Sequence, residues 1–260
     1  MDRRKEIAAL AESEEERMLL VRTVDRLSRG MEREQPVCSA FLTQREQALV
    51  RRLLPECAVW GGTEGAERAV AYWLPEYLTR EDYFGFPDGP IACLRGRFYE
   101  ENALSHRDVL GALMGAGIRR DAVGDIYLRE TSFDCFVLSE LTRYLLDNLT
   151  DAGRQRLRLE SIDPASVERP AQEMKEQRVS VASLRLDGVL AAAFHLSRGE
   201  AVNAVRAGAV AVNGLTCLKP DRPIAENDEL SLRGRGKLRV LSLGGATRRG
   251  RLALTVGIYL

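Results

Sequence analysis

The sequence predicts an α+β fold in several domains, and three observations carry that reading. From Ile91 to Ile162 the residue patterning alternates as β-α-β-β-α-β. Beyond Ser183, two short helical patterns precede a set of short strands broken by a tight-turn signal, Asn213-Gly214. Proline and glycine punctuation near residue 89, and again between Asp163 and Gln177, divides the chain. The expected organisation is a helix-rich α/β domain over 1–88, a second domain over 89–163, a linker over 164–180 and a last domain over 181–260.

The run from Asp2 to Arg29 is helix-rich, with Ile7, Leu10, Met18, Leu19, Val21 and Leu27 among charged residues and Gly30 as its stop. Thr43 and Glu46 have the spacing of a capping box and predict a helix to Leu54. Arg68–Leu74 reads as a strand. In the middle block, Ile91–Tyr99 is a strand candidate, and Ser105 with Asp108 caps a helix that Gly117 ends. Strands at 125–129 and 132–138, a helix from Ser139 and a strand at 156–162 complete the order. That order is the ferredoxin-like arrangement shared by RNA-recognition domains. Stacking aromatics are not expected on this sheet. Phe133 and Phe136 lie three residues apart on one strand and therefore on opposite faces, which points to core packing.

Composition narrows the function classes. Thirty-eight Lys and Arg balance 38 Asp and Glu, but the balance is uneven along the chain. From Arg178 to Leu260 there are 13 basic and six acidic side chains, a local excess of +7 against −7 in the rest. A basic tail on an acidic body points to a local polyanion site. Five scattered cysteines without a CxxC spacing, and only two histidines, argue against a zinc site and for a reducing compartment. No apolar run is long enough to span a membrane, so a cytoplasmic protein without membrane contact is expected, and no cofactor requirement is visible.

The carboxy-terminal domain carries the chemistry. Its first helix buries Leu186, Val189, Leu190 and Phe194, and Ser197 with Glu200 forms a capping box for the second. Arg198 follows that cap directly, the wrong end of a helix for a cation to be stabilised by the dipole. Arg185 opens the preceding helix, and Arg206 lies two turns beyond Arg198 on roughly the same side. Arg233, Arg235 and Lys237 alternate with glycines, which lets backbone and cations approach a sugar-phosphate chain. Guanidinium forks and helix-start N–H groups both suit phosphate oxygens. Arg185, Ser197, Arg198, Arg206, Arg233, Arg235 and Lys237 are therefore the expected RNA contacts, with Arg107, Arg119 and Arg120 as a secondary set; Lys219 joins the first set through the resemblance that follows.

These residues also carry a resemblance. Arg185-Leu-Asp187, Ser197-Arg198 with Ala201, Ala207-Gly208, Val210-x-Val212-Asn213-Gly214, Lys219-Pro220 and Asp228-Glu229-Leu230 resemble the S4 RNA-binding domain, the αL motif. Leu104 to Arg119, Val123-Gly-Asp-Ile126 and the Arg-Gly-x-Gly-Lys tail make residues 40–260 similar to the bacterial YlmH family. The chain departs from that pattern at Arg235, where an aromatic residue is expected, and at Gly199 inside the helix start. The resemblance implies a non-catalytic protein that binds ribosomal RNA and transfer RNA at the large ribosomal subunit, in rescue of stalled nascent chains. It also implies a cell-division gene neighbourhood.

Two rival classes stand beside it. An RNA-modifying enzyme of the pseudouridine synthase kind shares Arg185-Leu-Asp187, but here Gly188-Val-Leu continues a helix where a Thr-x-Gly turn is needed. No GxGxxG follows a strand, which argues against a methyltransferase. His106 and Asp108 point about 200° apart on a helix and make no catalytic pair. The other rival is an adaptor, linked to cell division, whose acidic amino-terminal domain around Glu14-Glu15-Glu16 holds a protein partner.

Overall fold

Ser13 divides the helix-rich amino-terminal run into two helices. In the computed structural model, which describes residues 3–101, 103–170, 173–246 and 250–259, two helices occupy it. These are α1 (Arg3–Leu10) and α2 (Glu14–Glu32), the second capped by the Ser13 hydroxyl accepting from the Glu16 N–H. Asp2, the expected start, lies outside the described residues. Gly30 does not stop α2 but lies inside it, because a Cβ there would sit 2.2 Å from the Val37 side chain. Its role is close packing of the helix on the strand that follows.

That strand is β1 (Val37–Leu42), followed by α3 (Gln44–Leu53), β2 (Ala58–Trp60), β3 (Ala69–Trp73) and the one-turn α4 (Arg80–Tyr83). The Thr43–Glu46 capping box opens α3 as expected. The antiparallel sheet β1-β3-β2 includes two strands that patterning did not single out, β1 and β2, both short.

The middle block then runs β4 (Ile91–Arg97), α5 (His106–Gly115), β5 (Val123–Leu128), β6 (Ser132–Leu138), α6 (Thr142–Asn148), a small β7–β8 ladder (Asp151–Ala152, Gln155–Arg156) and β9 (Arg158–Ile162). Its sheet order, β5-β6-β4-β9 with every pair antiparallel, is the ferredoxin-like order. One face packs Leu94, Phe133 and Cys135 against Val109 and Leu113 of α5 and Leu145 of α6. The other face packs Cys93, Tyr127 and Phe136 against Cys38, Phe41 and Val70 of the amino-terminal layer.

That second core corrects the expected boundary at residue 88/89. The chain divides instead into two compact units, Met1–Pro170 and Ala171–Leu260. Polar bonds tie the first unit together as well. The Asp125 carboxylate accepts the backbone N–H groups of Glu67 (2.8 Å) and Arg68 (3.0 Å), and the Arg68 guanidinium donates to the carbonyls of Phe41 (3.1 Å) and Val123 (3.0 Å). The loop punctuation around Pro75–Pro90 is a turn-rich passage within one core, not a hinge between two.

The expected linker is also shorter than 164–180. Pro164 and Val167 are buried in the first unit, and Met174 already begins a strand of the second; Ala171 and Gln172 lie outside the described residues. The second unit runs β10 (Met174–Val181), α7 (Leu186–Ala193), α8 (Arg198–Arg206), β11 (Val210–Val212), β12 (Leu215–Thr216), β13 (Glu229–Leu232), β14 (Gly236–Ala246) and β15 (Leu252–Tyr259). Its sheet order is β10-β15-β14-β13-β11-β12. Leu186, Val189, Leu190, Ala201 and Val205 of the two helices meet Val210, Leu230, Leu238, Val240 and Val256 of the sheet in one core. Asn213 (φ 52°) and Gly214 (φ 79°) are both left-handed, the geometry a two-residue hairpin turn requires.

Candidate nucleic-acid interface

The candidate interface is built around a carboxylate. Asp187, in the first turn of α7, is 1% exposed, and its backbone N–H donates to the Pro220 carbonyl at 2.9 Å. Arg185 donates to it twice, at 3.2 and 3.1 Å, and Arg198 at the start of α8 approaches the same carboxylate at 3.6 Å. Two guanidiniums from two helix starts are thus gathered on one buried acid, with outer faces left to solvent. Burial works against ionisation of Asp187. The Arg185 hydrogen bonds and charge, the Gly188 N–H and the Arg198 charge outweigh it and hold the carboxyl below its ordinary range.

The segment after β12 is strapped to this cluster. The Leu186 N–H donates to the Arg222 carbonyl, and Ile224 N–H to the Leu184 carbonyl, both at 2.9 Å. Exposed Lys219 is therefore carried beside the start of α7. Arg198 also rims a groove of about 380 Å³ whose walls include Gly188, Ala191, Ala192 and Arg251.

Ser197 caps α8 as expected: its hydroxyl accepts from Glu200 N–H at 3.2 Å, and the Glu200 carboxylate accepts from Ser197 N–H at 2.8 Å. The hydroxyl keeps its own proton to donate. Gly199 stands next to it, and a Cβ at that position would meet nothing within 4 Å. Arg206 is exposed at the far end of α8. The Arg233–Arg235 turn joins β13 to β14 by this helix. Arg233 N–H donates to the Ala209 carbonyl at 2.9 Å, and the Arg235 charge acts on Glu200.

Lys237 does not join this set. It faces away from the helices, paired with Glu229 at 2.8 Å and over the Tyr259 ring at 5.3 Å. Arg239 and the Tyr259 hydroxyl bond the same carboxylate at 3.4 and 2.9 Å. Strand alternation explains the split, since Leu238 and Val240 point into the core and their neighbours point outward.

In the first unit, Arg107 is exposed on the opening turn of α5 and Arg119 is exposed but ion-paired with Asp121. Arg120 is turned inward, donating to the Val123 carbonyl at 2.6 Å, and its own carbonyl accepts from Arg68 at 3.3 Å. Burial lowers its pKa. Arg120 is therefore withdrawn from the expected secondary set. The sheet offers no stacking platform either: Phe133 lies under the helices and Phe136 under the amino-terminal layer, each fully buried. Asp187 was not among the expected contacts, although the Arg185-Leu-Asp187 run had signalled it; the structure makes it the carboxylate that Arg185 and Arg198 share.

Comparison with known proteins fits this arrangement. Residues 184–230 match the S4 domain, and residues 97–166 match a family described as "Putative RNA-binding domain in YlmH". Over 220 residues the chain is 33% identical to the Ribosome-associated protein quality control protein P2 of Bacillus subtilis (strain 168), covering 83% of this chain and 84% of that protein. The chain belongs to the YlmH family. It is an S4-domain RNA-binding protein with the α+β, multi-domain architecture expected of it. A solved structure, the cell division protein ylmH from Streptococcus pneumoniae, is 19% identical with a TM-score of 0.49, covering 61% of this chain and 98% of that one. Among the described residues no helix is long and apolar enough to cross a membrane, and no group of three or more His, Cys, Asp or Glu could hold a metal ion.

Proposed function

We propose that this YlmH-family protein is a non-catalytic, cytoplasmic binder of ribosomal RNA and transfer RNA at the large ribosomal subunit, acting in quality control of stalled nascent chains. The observation that carries the reading is the Arg185–Asp187–Arg198 cluster: two guanidiniums held at adjacent helix starts on one buried carboxylate, in an S4 domain. The ribosomal setting is taken from the Bacillus subtilis relative, whose name places it in ribosome-associated quality control. Phosphate contact through Arg185, Arg198, Arg206, Lys219, Arg233 and Arg235 favours folded RNA recognised by shape. The non-catalytic reading rests on the same geometry. Asp108, beside His106, is occupied by the Ser105 cap, and Asp187 is neutralised by arginines.

Co-sedimentation with purified ribosomal subunits, with and without bound transfer RNA, tests this reading. Large-subunit binding, strengthened by transfer RNA, is the expected result. The Arg198→Ala, Arg206→Ala variant should lower the log–log salt dependence of affinity by about two units, roughly one for each phosphate-binding arginine removed. Equal binding to both subunits, or an unchanged slope in that variant, would overturn the ribosomal placement or the assigned face respectively.

A further inference from the structure

The acidic unit carries a cationic face that the S4 contacts leave unused. Arg22, Arg26 and Arg29 lie on α2 at spacings of four and three residues, and Arg33 follows four later at its C-cap. At about 100° and 1.5 Å per residue, the helical three fall within a sector of roughly 60°, and the series extends over about 16 Å. All four side chains are solvent-accessible, and they line one groove of about 470 Å³ with Gln35 and Val37. Gly30 lets the strand close against α2 at the groove.

Two of the arginines are steered by the helix itself. Arg22 donates to the Met18 carbonyl at 3.4 Å and Arg29 to the Asp25 carbonyl at 3.0 Å, both through Nε, so the terminal nitrogens stay available. Among the described residues none of the four forms an ion pair. In the same unit Arg17, Arg45, Arg80, Arg95 and Arg129 each meet a carboxylate. Repulsion between like charges at i,i+4 and the favourable placing of Arg29 and Arg33 at the C-terminal end of α2 oppose one another, so folding gains little from the stripe. A second groove shares Arg22 and Arg26 and reaches Arg119, but Arg119 is held by Asp121 and is left out.

We propose that Arg22, Arg26, Arg29 and Arg33 form a second phosphate-binding surface, which takes the sugar-phosphate backbone of a folded RNA. It rests on the RNA-binding reading and extends it to the amino-terminal unit. Successive guanidiniums lie about 5 Å apart along the axis, close to the separation of neighbouring phosphates on a strand. Tight protein partners need buried aromatic or apolar anchors, and this groove offers only Pro36 and Val37. An RNA backbone is the better match.

The test is titration of the full chain with a fluorescein-labelled double-stranded RNA hairpin across a salt series. The Arg26→Ala, Arg29→Ala, Arg33→Ala variant should bind at least about tenfold more weakly at moderate salt, with a log–log slope lower by about two to three units. The corresponding triple lysine variant should keep most of the slope, and both should melt with the wild type because the side chains reach solvent. Ultraviolet crosslinking should mark the peptide spanning residues 22–33 as well as the S4 domain. Unchanged affinity and slope in the triple alanine variant, beside a loss in the Arg198→Ala, Arg206→Ala variant, would overturn the stripe and leave the S4 reading standing. No salt-dependent binding by the wild type would overturn both. Poly-glutamate binding that the alanine variant loses, with RNA binding intact, would reassign the stripe to an acidic protein.

Discussion

Asp187 fixes the directions of the arginines beside it. Its carboxylate is buried, while the Arg185 and Arg198 side chains retain 41% and 64% exposure, so the acid orients them without covering them. Simple charge counting expects removal of an acid to strengthen RNA binding. Positioning expects the reverse. Asp187→Asn should therefore weaken hairpin RNA binding several-fold, and a gain in affinity by fluorescence titration would show that the pairing only masks the arginines. Gly199 allows a second test. Its Cβ direction is open, so Gly199→Ala should raise unfolding free energy by about 0.5–1 kcal/mol, seen as a higher melting temperature. If phosphate approaches the helix start closely, the same change should lower RNA affinity. Acid sensitivity follows from Asp187 and Glu229. Burial raises both pKa values, but Arg185 at one site and Lys237, Tyr259 and Arg239 at the other more than compensate. The folded values lie below the unfolded ones, which are about 3.9 for Asp and about 4.3 for Glu. Their stabilisation is present above those values and is lost as pH falls through the folded ones. Charge-removing variants at either position should flatten the acid limb of a stability–pH curve.

Elements of the first unit are joined by bonds that reach far along the chain. Asp125 on β5 accepts two N–H groups at the entry to β3, so Asp125→Ala leaves two donors without their acceptor. A loss of about 2 kcal/mol is expected in denaturant unfolding. Cys93 and Cys135 lie on the adjacent strands β4 and β6, in the buried layers of the sheet. Burial pushes the Cys135 thiol up to about 12 and the Cys57 thiol up to about 11. Because the folded values lie above the unfolded value of about 8.5, the stabilisation from burying the neutral thiols is fully present below that pH and is lost as pH rises through it toward the folded values. All five cysteines are buried, so alkylation at pH of about 8, near the ordinary thiol range, should be slow in the native protein and complete after denaturation. Rapid native modification of Cys93 or Cys135 would contradict the packing around β4 and β6.

At the scale of the whole molecule, two units with separate cores should respond separately. Asp125→Ala should lower the melting of the first unit and leave that of the second where it was, as followed by hydrogen exchange on peptides from each core. Much of the architecture was legible in the residues themselves. Capping boxes at Thr43, Ser105 and Ser197, the Asn213-Gly214 turn and the β-α-β-β-α-β order are local signals, and each stands where patterning put it. Hydrogen bonds over three or four residues and backbone conformations at single positions are written in short stretches of chain. The joining of 1–88 to 89–163 was not legible, because it depends on β1 and β3 covering one face of a sheet built from residues far downstream. Nor could a list of cations separate Arg198, gathered onto Asp187, from Lys237, paired with Glu229, or from Arg120, bonded to the Val123 carbonyl. By itself the sequence determined the capped helices, the strand order of the middle block, the S4 module and its positive charge. Only the tertiary structure decided which cations face outward, because a side chain's direction and partners are set by residues brought beside it from elsewhere in the chain.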